Sequence, residues 1–192
     1  MILIKGIGWI NRSSFGTAIT DQSWDFPSMK LLHKTLKLNR IIKESIKDFG
    51  RLDNLSKLTV AATSLAILDS TSQILNDDNT DIGIIGSNYS GSLASNVDYF
   101  TDYIKSGRTL SRGSLFVYTL PSASLAASAI AFGLQGPILF TMFSGNGILS
   151  RLFEEADKTI TGYNLKSLIV VYECQGFVQA FLVERSNRNG LS

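Results

Sequence analysis

Histidine and cysteine occur once each in these 192 residues, as His33 and Cys174. A single cysteine excludes a disulfide framework and any cysteine-based zinc site. A single histidine removes every mechanism that needs two imidazoles, and most metal centres with them. No metal and no cofactor are expected. Charge is scarce as well, at 18% of residues against 44% hydrophobic. So much apolar surface offsets the entropy cost of ordering, which excludes a disordered chain. The net charge of +2, from 18 basic and 16 acidic residues, makes no electrostatic case for a nucleic-acid partner.

Several catalytic and nucleotide-binding patterns are also missing. Gly145-Asn-Gly147 supplies two of the three glycines of a dinucleotide fingerprint, but no ribose-binding acid follows at the expected distance. Ser144 falls where a strand turns into a helix, the place of a nucleophile elbow. Met142 and Asn146 stand where that motif has glycines. No serine has a lysine three residues on. A serine hydroxyl needs a base to attack at neutral pH, and the sole histidine sits among Lys30, Lys34 and Lys37. Ser144 therefore reads as a turn or helix-capping residue. Cys174 ends an apolar strand with no cationic cluster beside it, so a buried, inert thiol is expected.

What the chain does have is a long uncharged stretch. The 38 residues between Arg112 and Arg151 carry no charge. Ser122, Ser124, Ser128 and Ser144 punctuate them, and Gly133-Leu-Gln-Gly-Pro137 breaks them in two. Each half is too short to span a bilayer and fits a buried helix at 123–132 and a buried strand at 138–143. No membrane span is expected. The N-terminal apolar run holds Lys5 in its middle and lacks a cleavage site. It reads as a first strand of a cytoplasmic protein.

Apolar periodicity places strands at 3–10, 81–86, 167–172 and 177–184 besides 138–143. It places helices at 28–48, 55–68, 92–106 and 147–162 besides 123–132. Asp53 marks the start of the 55–68 helix, and Gly107 the end of the 92–106 helix. Residues 185–192 read as a frayed tail. Strands alternating with helices imply an α/β fold with a mainly parallel sheet. With no repeat or linker, residues 1–192 read as one domain.

In this order the segments resemble the N-terminal half of the β-ketoacyl synthases, which have the thiolase-like fold. Gly50-Arg-Leu-Asp53 and the alanine-rich run to Asp69 resemble a family helix. Ile82-Gly-Ile-Ile-Gly-Ser-Asn-Tyr-Ser-Gly91 is similar to its strand and glycine turn. Phe116-Val-Tyr-Thr-Leu-Pro-Ser-Ala-Ser-Leu-Ala-Ala-Ser-Ala-Ile-Ala-Phe-Gly-Leu-Gln-Gly-Pro137 resembles the segment leading to the family's nucleophile. Gly176-Phe-Val-Gln-Ala-Phe-Leu-Val-Glu184 resembles the strand that closes the half.

The resemblance implies a single βαβαβαββ half, with a mixed, mainly parallel five-stranded sheet flanked by helices. With Gly147 aligned to the glycine three residues after the family's nucleophile, it puts Ser144 at the position of the catalytic cysteine, one residue early relative to Gly136-Pro137. Ser144 is then a vestigial nucleophile, with Phe143, Gly145, Asn146 and Gly147 around the former acyl site. The family's two catalytic histidines belong to its C-terminal half, and His33 matches neither. The resemblance also implies that a lone half exposes its inner helices, at about 25 cal/mol per Å² of apolar area. Its edge strand, carrying Ile138 and Phe140, with Met142 beyond, pairs across the family's dimer axis.

The leading expectation is thus a catalytically degenerate ketosynthase-like subunit of fatty-acid or polyketide-type biosynthesis. It resembles the chain-length-factor-like components of aryl-polyene or flexirubin-type pathways, paired with a full-length ketosynthase or with itself. One alternative is an acyltransferase or hydrolase using Ser144 with a base from a partner. Another is a non-catalytic module that binds an acyl carrier protein. Lys34, Lys37 and Arg40, together with Lys30, Lys43 and Lys47, would form a basic carrier-docking face.

Overall fold

The computed structural model describes residues 1–42, 46–70, 81–109 and 112–186. The chain begins with strand β1 (Ile2–Ile10), followed by β2 (Ser14–Thr17), β3 (Ser23–Asp25) and helix α1 (Leu32–Leu38). Next come α2 (Asn54–Asp69), β4 (Ile82–Asn88), α3 (Leu93–Lys105), the single turn α4 (Gly113–Phe116) and α5 (Ala123–Phe132). The order closes with β5 (Ile138–Phe140), α6 (Ile148–Gly162), β6 (Ser167–Cys174) and β7 (Phe177–Arg185).

The strands form one seven-stranded mixed sheet in the order β3-β2-β1-β7-β6-β4-β5. β4 pairs in parallel with both β5 and β6, and β7 lies antiparallel between β6 and β1. Among the five central strands, four therefore run one way and β7 runs against them. This is the mainly parallel βαβαβαββ arrangement expected from the sequence. The two further strands come from residues 11–27, where β2 and β3 fold back antiparallel beside β1. Runs of four and three residues are too short to show a strand period, and Phe15 holds them by packing on Trp24 and Phe26.

Two apolar layers cover the sheet. One gathers Leu32 and Leu36 of α1, much of α2, and Leu125 and Ala129 of α5. The other gathers Leu152, Ala156 and Ile160 of α6 against Ile85, Leu168, Val170 and Phe181. α2 can lie directly on β1 because Gly6 and Gly8 have no side chain. A Cβ at either would collide with the Ala66 or Ala62 carbonyl oxygen. Asp53 caps α2 by accepting from the Ser56 amide at 2.8 Å, the start signal read from the sequence.

Three expectations need correcting. The helix expected at 28–48 is confined to Leu32–Leu38. Arg40 adopts φ +57°, and the chain turns there so that Ile41, Ile42 and Phe49 join the core; residues 43–45 lie outside the described residues. The strand at 138–143 ends at Phe140, although the Thr141 amide still donates to the Gly86 carbonyl at 2.9 Å. Cys174 is half-buried at the end of β6. The expected tail begins at the last residue of β7, and 187–192 lie outside the described residues.

The packing expectation for a lone half also changes. α2 is enclosed within this chain, lying on β1 and β7 and packing against α5, with most of its residues from Ser56 to Ala66 buried. The outer face of α6 is polar, with Arg151, Glu154 and Lys158 exposed and Lys158 paired to Glu155 at 2.7 Å. The unpartnered apolar face belongs to α3, none of whose residues is buried. Among the described residues no single helix is long and apolar enough to cross a membrane. The helices Gly113–Thr119 and Ala123–Phe132 pass only as a pair bent by 101°.

Candidate functional site

The carboxyl ends of β4 and β5 bring three chain segments together, at the position where open α/β sheets bind ligands. At the end of β4, Asn88 is buried and shapes the following turn. Its Nδ2 donates to the Gly91 carbonyl at 2.9 Å, and its Oδ1 accepts from the Gly91 amide at 2.5 Å. Gly91 takes φ +60°, and a Cβ there would rest 3.7 Å from Met142 Sδ and 3.8 Å from Pro121. The segment before α5 is tied to the start of α3 by Ser92, whose hydroxyl donates to the Thr119 carbonyl. At the α2 terminus, the Ser95 hydroxyl donates to Asp53 at 3.2 Å and the Tyr118 hydroxyl to the Arg51 carbonyl at 3.2 Å.

Ser144 lies in the third segment, the loop between β5 and α6, and is exposed. Gly145 and Gly147 both adopt left-handed conformations, φ +81° and +77°. These turn the chain sharply into α6. Gly147 is the N-cap of α6, and no side chain caps that end. Ser144 is thus a turn residue but not the helix cap that its position suggested. Its carbonyl accepts from Arg151 Nη1 at 2.8 Å, which ties the loop to the first turn of α6. Phe143 packs with Leu149 onto the α6 side of the sheet. Ser144, Gly145, Asn146 and Gly147 are all exposed around this turn.

Among the described residues no general base accompanies Ser144. α1, which carries His33, packs with the α2 layer on one side of the sheet, whereas α6 packs on the other. The His33 ring stacks on Phe49 with centroids 4.7 Å apart. Burial first, and then the Lys37 ammonium, lower the His33 pKa from its ordinary value. Among the described residues the hydroxyl of Ser144 has neither the base nor the orienting third group that serine nucleophiles use. Among the described residues no group of three His, Cys, Asp or Glu side chains is placed to hold a metal ion.

Among the described residues β5 forms one edge of the sheet and pairs only with β4. Ile138 is exposed on it, Phe140 is half-buried, and Met142 just beyond is 60% exposed. These are the residues assigned to an interface from the sequence, and the fold places them along one free edge. Sequence reasoning missed the apolar face of α3. Leu93, Val97, Phe100 and Ile104 recur at helical spacing along α3 and are between 42% and 61% exposed. Phe116, Val117 and Leu120 are exposed on the segment packed beside α3, and Ile130 of α5 is 83% exposed. The signal was present as an apolar stripe, which a buried helix would share.

Of the basic residues singled out in the sequence, Lys34 and Lys37 share one wall with Lys30 and His33. Arg40 is exposed beyond the end of α1 and does not belong to that wall. Lys43 lies outside the described residues.

The sequence matches no protein-family model and no curated protein at a significant level. Solved structures do match. One is the ishigamide ketosynthase/chain length factor, with a TM-score of 0.61 and 14% identity over 98% of this chain and 63% of that one. A second is a ketosynthase in complex with its chain length factor from Xenorhabdus doucetiae, at 0.59 and 15% over 97% and 80%. A third is a type II polyketide synthase acyl-carrier protein in complex with its ketosynthase bound to the hexaketide, at 0.65 and 13% over 96% and 62%. The chain spans less than two thirds of the length of the first and third of these.

Proposed function

For a chain with the thiolase-like fold of ketosynthases and chain length factors, we propose the role of a non-condensing subunit. It pairs with a ketosynthase in fatty-acyl or polyketide-type chain building, of the aryl-polyene kind. The observation that carries this reading is the β5 edge, open among the described residues, with exposed Ile138 and Met142 on it. The turn at Gly91, which leads into the exposed apolar face of α3, lies beside Met142. An exposed strand edge is a template for another chain, and exposed apolar surface of this kind marks a protein interface. The resemblance to a chain length factor supplies the partner, a chain with its own cysteine and two histidines.

Condensation itself needs a thiolate and two imidazoles in that family. Here the corresponding loop offers the unassisted hydroxyl of Ser144, and the one imidazole stands on the opposite side of the sheet. The subunit then acts through shape: residues near the edge form one wall of the partner's acyl-binding space. Phe143 and Met142 adjoin that wall, and Ser144 to Gly147 keep the turn of a former nucleophile site without its chemistry.

Two substitutions test the reading together. Ser144→Ala is expected to leave product formation by the reconstituted pair unchanged. Ile138→Lys places a charge on the pairing edge and is expected to abolish association while the isolated chain still folds. Loss of product in the serine variant with assembly intact would instead favour an acyl transfer at Ser144 with a base from the partner.

A further inference from the structure

Away from the Ser144 turn, α1 presents a second surface with a pattern of its own. Leu32 and Leu36 are fully buried and anchor one side of the helix. On the other side, Lys30, His33, Lys34, Lys37 and Leu38 line a depression of about 630 Å³. The three lysines are exposed, and none forms an ion pair among the described residues. Lys34 and Lys37 lie three residues apart on α1, and Lys30 lies in the turn before it. At the spacing of Lys34 and Lys37 like charges on a helix repel.

Among the described residues no acid lines the depression to offset that repulsion. His33 completes the wall, its ring held on Phe49 at 4.7 Å and its Nε2 buried without a hydrogen-bond partner. Three lysines lining one depression, with no acid among its other lining residues, are a local conflict of the kind found at functional sites. Leu38, 72% exposed, adds an apolar lip.

We propose that this depression binds a phosphoryl-bearing small molecule, with the phosphoryl group held by Lys30, Lys34 and Lys37 and an apolar portion lying on Leu38. Lysine serves phosphate as a compact point charge with several donors, and a doubly charged head relieves more of the repulsion than one carboxylate does. A flat acidic protein surface fits less well. Arg40, which would extend the basic row for a protein partner, stands outside the wall. This site is independent of the β5 edge and of the ketosynthase-like reading.

The single histidine makes the test direct, because its imidazole proton signal needs no assignment. Inorganic pyrophosphate is titrated into the intact protein near neutral pH at constant ionic strength, with sodium sulfate as the control anion. The expected result is a saturable shift of the His33 signal and an upward move of its titration midpoint. Sulfate should give a weaker response. The Lys34→Gln/Lys37→Gln variant, altered only at exposed positions, should bind about tenfold more weakly or worse. The proposal is overturned by a signal that does not saturate, by equal affinity in the double variant, or by an acidic carrier protein shifting the signal where pyrophosphate does not.

Discussion

Asp69 is fully buried at the C-terminal end of α2, where the helix dipole disfavours an anion. Four donors offset that cost. The amides of Ile7, Ile19 and Thr20 and the Thr20 hydroxyl all donate to its carboxylate at 2.7–2.9 Å. Burial pushes the Asp69 pKa up, but the Thr20 hydroxyl and the three amides together outweigh it, so the net direction is down. A carboxylate with a depressed pKa stabilises the fold at all pH values above its unfolded pKa. That contribution is lost as pH falls through the folded value. Asp69→Ala leaves several buried donors unpaired and is expected to cost about 3 kcal/mol or more near neutral pH. Urea unfolding should show the difference from wild type steady above about pH 5 and shrinking below about pH 4. A difference that persists unchanged into acid would contradict the assignment.

His33 acts in the same direction over a higher pH range. Its lowered pKa means that the unfolded chain takes up the proton first, so stability falls as pH drops below about 6.5. His33→Gln is expected to flatten the stability profile between about pH 7 and 5. An unchanged slope would show that other groups carry it. Neither residue's environment was legible in the sequence. Asp69 looked like the end of an alanine-rich helix, and its partners lie 49 to 62 residues away. His33 looked like part of a solvated lysine face, whereas stacking on Phe49 half-buries it.

At the scale of elements, legibility followed length and period. α2 and α6 declare themselves, α2 through the Asp53 cap and α6 through an apolar stripe opposite charged residues. β6 and β7 carry long apolar runs and appear nearly where expected. β2 and β3 escape notice because register with β1, rather than their own pattern, makes them strands. α1 stops early because burying Ile41, Ile42 and Phe49 requires a turn at Arg40, a tertiary demand invisible in the lysine-rich repeat. Close contact between β1 and α2 leads to a further expectation. Gly8→Ala should destabilise the fold by about 2 kcal/mol or more, since the new methyl meets backbone that cannot move aside. Thermal unfolding checks this, and a neutral outcome would mean that α2 sits farther from β1.

For the whole molecule, the sheet order and the direction of β7 carry the likeness to ketosynthase structures, and residue order alone had suggested it. The turn at Ser144 was also legible, since Gly145 and Gly147 stand at the junction of an expected strand and an expected helix. The distribution of apolar surface was not. The expected burden on inner helices is absent, because α2 is enclosed and α6 turns charge to water. The burden falls instead on α3, Ile130 and the β5 edge. A stripe such as Leu93, Val97, Phe100 and Ile104 reads the same in a sequence whether its cover is the same chain or another.

That location predicts how the surface is covered. Replacing Val97 and Phe100 by aspartate should leave the isolated chain folded, because neither side chain is buried. The same change should remove association with the partner, as read by size-exclusion chromatography of the mixed chains. Persistence of the complex would exclude α3 from the interface.

The central claim is that the β5 edge and α3 face receive a ketosynthase. Native mass spectrometry of the tagged protein, purified from its own cells, tests this most directly. The account predicts one copy of this chain bound to one copy of a chain roughly twice its length, carrying the cysteine and two histidines absent here. A homodimer, or a monomer with no companion chain, would contradict it.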